Sequence, residues 1–183
     1  MNYYGARELA DSFRTVRRNT ITIANEIGEE HCGFRPAPDV RTVGQTLVHI
    51  ARICELAERI HATERRTTLV GFDFAGFIGP IVADEQTPRT KAQVIELLTA
   101  GGNRYSAWLE GLSDDFLGER VTLPPGATPE SKTRFEMLLG VKEHEMHHRG
   151  QLMLVERMLG LVPHLTREFQ ARMAAMAAAA NKP

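Results

Sequence analysis

The segment Glu143-His144-Glu145-Met146-His147-His148-Arg149-Gly150-Gln151 sets two imidazoles four positions apart. On an α-helix that spacing puts His144 and His148 on one face with neighbouring Cβ atoms. Their face is apolar: Met137, Val141, His144, His148, Leu152 and Val155 follow the rhythm of a buried seam. A buried ring nitrogen without a hydrogen bond or a metal is costly. A third histidine, His49, lies on a comparable stripe formed by Gln45, His49, Ile53, Leu56 and Ile60. Neutral imidazole suits zinc, nickel, copper and iron, and three protein ligands leave a coordination position open for chemistry. His49, His144 and His148 are therefore the candidate metal ligands. Gln45, one turn before His49, and Gln151, beside His148, are candidate groups around them.

Other histidines lack this setting. His147 lies about 100° around the helix from His148 and is expected at a boundary or in solvent. His31, His61 and His164 are expected to be ordinary histidines satisfied by backbone or carboxylate. A rival pattern overlaps the seam, because His144-Glu145-Met146-His147-His148 satisfies the H-E-x-x-H zincin motif. In that reading Glu145 is the general base and Glu168 the third ligand. It lacks the upstream strands that such a site uses, and the periodicity turns Glu145 away from the seam. Cys54, five residues from His49, falls on a different face and is expected in the core.

Long amphipathic helices must position these residues. The first spans about Arg7 to Ile27, with Leu9, Phe13, Val16, Thr20, Ile23 and Ile27 inward and Gly28 as its stop. The cluster Arg14, Arg17 and Arg18 on it reads as a solvated face. Residues 29–41 are a connector. Thr42 and Gln45 form a capping box opening a second helix to about Ala62. Segment 65–89 is long for a connection and rich in phenylalanine and isoleucine, so a short helix or packed lid is expected there. Thr90 and Gln93 cap a third helix that is interrupted by Gly101-Gly102, a pair marking a kink or a close helix–helix approach. A loop over 113–130 follows, then Thr133 and Glu136 cap the histidine helix, which Gly160 and Pro163 terminate. Thr166 to Ala180 can form a last helix. No alternation is long enough to predict a sheet.

Four such helices predict an all-α four-helix bundle, and the long 65–89 crossover lets the second and third run parallel. The whole of 1–183 reads as one domain, with 171–183 a frayed, alanine-rich tail. With 22 basic and 23 acidic residues there is no concentrated positive field, which argues against nucleic acid. Two isolated cysteines give neither a disulfide framework nor a CxxC site. No apolar run approaches the ~20 residues a membrane span needs, and no apolar leader opens the chain. A cytoplasmic protein acting on a small molecule, with no nucleic acid and no membrane as partner, is expected.

Thr42-Val43-Gly44-Gln45-Thr46-Leu47-Val48-His49-Ile50-Ala51, with His144 through Leu152 following and Gly160-Leu161-Val162-Pro163 beyond, resembles the DinB/YfiT-like family. The H-x-x-x-H-R-G-Q segment is its most specific part. The resemblance implies an up-down-down-up bundle, often a homodimer, with one divalent metal such as nickel or zinc on His49, His144 and His148. It further implies one of several chemistries. These are S-transfer with a low-molecular-weight thiol such as bacillithiol as co-substrate, mycothiol-dependent isomerisation, and metal-dependent hydrolysis. Thiol transfer ranks ahead of hydrolysis here. A metal-binding or stress-associated protein without turnover is the alternative from a different class.

Overall fold

The computed structural model of the protein describes residues 4–180. Helix α1 is Ala6–Glu26, and a 3-10 turn at Glu29–His31 leads through the connector to α2, Val43–Arg52. After α2 come α3, Cys54–Ala57, and a π-helical turn, Glu58–Thr63. The crossover holds α4, Phe74–Asp84, before α5, Lys91–Glu110, and the short α6, Asp114–Gly118. Strands β1, Arg120–Thr122, and β2, Ser131–Thr133, precede α7, Arg134–Met158, and α8, His164–Ala180. All three threonine capping boxes form, at the starts of α2, α5 and α7, each hydroxyl accepting from the backbone N–H three residues on.

The core shows the direction of each helix. At one end Ile23 and Ala24 of α1 pack with Val43 and Leu47 of α2, Val94 and Leu98 of α5, and Leu152 and Val155 of α7. At the other, Leu9, Ala10 and Phe13 meet Cys54, Ala57, Tyr105, Leu109, Leu138 and Val141. Late α1 thus meets early α2, early α5 and late α7, while early α1 meets late α5 and early α7, the up-down-down-up order. The first and last bundle helices run parallel, as do α2 and α5. This is a four-helix bundle with a long crossover between its second and third helices, as the sequence predicts.

One side chain ties all four helices together. Arg17 is only 3% exposed. Its Nε donates to both Glu145 oxygens at 2.9 and 3.1 Å, and Nη2 adds a third bond to Oε2 at 2.9 Å. Nη1 donates to the Leu98 carbonyl at 2.7 Å and Nη2 to the Ile50 carbonyl at 3.1 Å. The expectation of a solvated arginine face is therefore wrong at this position, because a partner on α7 completes the charge inside the core. The glycine pair of α5 makes the room. A Cβ on Gly102 would stand 2.7 Å from Arg17 Cγ, and one on Gly101 would stand 3.3 Å from the Ala51 carbonyl oxygen. The predicted close approach is this contact.

Three further differences have local causes. The predicted second helix is interrupted at Ile53, near the level where Arg17 takes the Ile50 carbonyl, and then widens into the π-turn. A two-stranded antiparallel ribbon pairs Arg120–Thr122, inside the expected 113–130 loop, with Ser131–Thr133 just beyond it. Each strand is three residues long and only Val121 is buried, too short a run for alternation to register. The crossover contains a helix, as predicted, but of the residues of α4 only Ile81 is buried.

His61, on the π-turn, is 2% exposed, and its Nδ1 accepts from Arg134 at 2.9 Å. Burial, with the guanidinium adding to it, pushes its pKa from 6.5 down to about 4. The unfolded chain therefore binds the proton more readily than the native one. Stability from this group is complete above pH 6.5 and is lost as pH falls towards 4, by roughly 3 kcal/mol at the limit. Urea denaturation at pH 7 and pH 5 should show a smaller acid loss in His61→Gln than in wild type.

Candidate metal centre

The three predicted histidines converge where α2 and α7 cross the middle of the bundle. His49 sits on the second turn of α2, fixed by the Thr42 cap and by Val48 and Ile50 packed on either side. His144 and His148 come from successive turns of α7. Their ligand nitrogens and that of His49 all lie within 4.8 Å of one another. The Nε2 atoms of His49 and His144 are 3.3 Å apart. Two nitrogens about 2.0–2.1 Å from one ion, in tetrahedral directions, have nearly this separation.

The Nδ1 atoms of His49 and His148 are oriented by partners, whereas that of His144 is buried without one. His49 Nδ1–H donates to Glu85 Oε1 at 2.8 Å, which leaves its Nε2 lone pair free. Glu85 is 4% exposed, and Arg41 Nε donates to its second oxygen at 2.6 Å. On the other side His148 Nδ1–H donates to Gln151 Oε1 at 2.8 Å, and the Gln151 amide donates to His147 Nε2 at 3.1 Å. A ring nitrogen tied to an oxygen fixes the tautomer and makes the opposite nitrogen the ligand.

Electrostatics agree with that assignment. Burial lowers the pKa of all three rings, His144 to about 4, where His148 and His49 add to the effect. For His49 and His148 the hydrogen bonds to Glu85 and Gln151 partly oppose burial. At neutral pH the rings are neutral, the form that binds metal. Facing Nε2 lone pairs repel unless a proton or a cation lies between them. The donor set fits a divalent transition ion. Glu85→Gln keeps the shape and removes the charge. It is expected to weaken metal binding by about 10–100-fold, read by competition against a chelator, with the fold intact.

An open pocket of about 720 Å³ reaches His148 and Gln151. Its polar wall carries Arg35, Arg41, Gln45 and Gln86. Gln45 serves this wall and its helix cap, bonding Gln86 at 2.7 Å. It does not touch the triad, whereas Gln151 does. His147 and His31 are outside the cluster, and His61 and His164 are buried elsewhere. Glu145, the would-be zincin base, is 0% exposed and fully engaged by Arg17. Glu168 is exposed on α8 and forms no part of the cluster. The Cys54 thiol is buried, and that burial pushes it up to about 12, so it is no nucleophile.

Sequence reasoning missed Glu85 and Arg41. Glu85 follows an apolar helix that shows no periodic signal, and its burial depends on where the crossover lands. The acidic pair Asp84-Glu85 at the end of the helix-forming part of 65–89 was the available clue.

A family model described as the DinB superfamily matches residues 12–152. No curated protein matches the chain. Among solved structures, YfiT from Bacillus subtilis superposes with a TM-score of 0.68 at 17% identity, covering 88% of this chain and 91% of its own. YfiT is described as a probable metal-dependent hydrolase with an unusual four-helix bundle topology. YjoA, a DinB-like protein also from Bacillus subtilis, gives 0.60 at 20% identity, over 84% and 92% of the two chains. A conserved protein from Enterococcus faecalis gives 0.61 at 15% identity, over 81% and 93%.

Proposed function

The chain belongs to the DinB superfamily, and from that premise we propose that it is a metal-dependent enzyme transferring a low-molecular-weight thiol to a small electrophile. The observation that carries the proposal is the meeting of three neutral imidazoles beside an open pocket. A divalent ion, nickel or zinc, held by His49, His144 and His148 would supply positive charge favouring the deprotonated form of a thiol or water bound in that pocket. Glu85 and Gln151 hold the ligand rings in their ligating tautomers. Arg35, whose η nitrogens meet only the Val40 carbonyl and Gln45 Oε1 among the described residues, offers further donors to an anionic group of the thiol. In the transfer the thiol gives up its proton to solvent in the open pocket, a carbon–sulfur bond forms, and the bond from that carbon to the leaving group breaks, the leaving group departing with the bonding pair.

Hydrolysis is the second reading, and the likeness to YfiT supports it. Thiol transfer ranks first because the two buried carboxylates at the triad are both engaged and cannot act as a base. Glu85 is held by His49 and Arg41, and Glu145 by Arg17. A thiol-consumption assay across alkyl and aryl electrophiles decides between them. Transfer predicts thiol loss that requires metal and His148. Turnover of esters or amides with no thiol dependence would sink it in favour of hydrolysis, and no turnover of any kind would leave a metal-binding protein. The 720 Å³ pocket beside the triad counts against that last outcome. Homodimerisation belongs to the same proposal, with exposed Met146, Leu154 and Met158 of α7 as its apolar strip. Sedimentation showing only monomer at micromolar concentration would remove it.

Among the described residues no helix is long and apolar enough to cross a membrane.

A further inference from the structure

The groove between α2–α3 and α7 continues past the triad. Because these helices run antiparallel, the polar pocket lies against early α2 and late α7, while the opposite half lies against α3, the π-turn and early α7. There a second hollow, of about 200 Å³, ends on His144. Its walls are Ile53, Leu56, Ile60, Met137 and Val141. Its only polar lining groups are His144 and His61, and Nδ1 of His61 is taken by Arg134. The histidines therefore divide one groove into a polar mouth and an apolar crevice.

A second observation points to a ligand. Gly140 lines the crevice from the interior of α7, where glycine costs about 1 kcal/mol relative to alanine. At Gly101 and Gly102 neighbouring atoms demand the missing Cβ, but a Cβ on Gly140 would meet nothing within 4 Å. The protein's own packing does not need this glycine. Its absent side chain keeps the crevice open.

We propose that the crevice binds the apolar part of the substrate, a single aromatic ring or a branched alkyl group of that size, and holds it against His144. An apolar cavity of about 150 Å³ accepts benzene, so the volume matches one ring. The inference rests on the enzyme reading above and narrows its substrate class. The electrophile is a small amphiphile whose ring fills the crevice and whose reacting atom reaches the triad, while the polar mouth takes the thiol. Specificity between ring-bearing and merely polar electrophiles is set by Gly140, Met137 and Val141.

The test is a ¹⁹F NMR titration of fluorobenzene into the full-length protein, metal-free, zinc-loaded and cobalt(II)-loaded. Saturable binding is expected in each form, weakened at least tenfold by Gly140→Leu and much less by Gly140→Ala. Both variants raise helix propensity, so a melting temperature no lower than wild type verifies their fold. Cobalt should broaden the bound fluorine resonance far more than zinc does, placing the ring beside the triad. Non-saturable binding, an unchanged affinity in Gly140→Leu, or equal line widths with the two metals would overturn the proposal. Metal content is measured on the same samples. A triad that holds no ion would defeat the enzyme reading, while the metal-free titration would still decide the crevice.

Discussion

Arg17→Met is expected to destabilise the protein by about 3–5 kcal/mol, because it strands a buried carboxylate. Glu145 has no exposure and takes three hydrogen bonds from this one guanidinium. Its loss also strips a donor from the Leu98 and Ile50 carbonyls. Against a total of about 5–15 kcal/mol for a domain, that is a large fraction. The double variant Arg17→Met/Glu145→Leu should recover most of the deficit, since a buried pair replaced by apolar groups is often neutral. Urea denaturation across the four members of this cycle measures the coupling. A single variant within about 0.5 kcal/mol of wild type would mean that Glu145 escapes to water or takes up a proton at little cost. The metal site feels the same clamp, because Glu145 adjoins His144 in sequence and Ile50 adjoins His49.

The second large effect is on metal content. Untagged wild-type protein is expected to carry about one ion per chain, and His49→Ala or His148→Ala to carry almost none. Elemental analysis reads this directly. Glu168→Ala should leave the content unchanged, as its side chain is exposed on α8 and outside the cluster. The reverse pattern, with metal lost in Glu168→Ala and kept in His49→Ala, would restore the zincin assignment. Metal absent from wild type even after reconstitution would make the triad a structural feature.

The two outcomes differ in how visible their residues were beforehand. His144 and His148 declare themselves by spacing alone, since four residues on an apolar helix mean one face. His49 needs a second inference, that its stripe meets theirs, and bundle packing delivers that. Helix starts were legible for a local reason: a threonine with glutamine or glutamate three residues on satisfies its own backbone. Arg17 and Glu85 were not legible. Each is a charged residue whose burial depends on a partner 128 or 36 positions away, and nothing in their neighbours records it. Arg17 even sits among arginines that do face solvent. The Gly101-Gly102 pair was the one outward trace of the clamp, a gap whose occupant the sequence could not name.

The crossover invites a different description. Helix α4 buries only Ile81, so it is anchored mainly at its far end, where Glu85 grips His49 and Arg41 and where Arg89 holds Asp84. A segment with so little apolar contact belongs to the low-stability end of the molecule, opening locally without global unfolding. Occupancy of the triad and closure of the crossover are then one linked equilibrium. An ion that favours the Glu85-bound tautomer of His49 favours the closed state by the same factor, by reciprocity. Changes in 65–89 are therefore expected to tune metal affinity without touching a ligand, which makes the grip on the ion a property of the connection as much as of the three histidines.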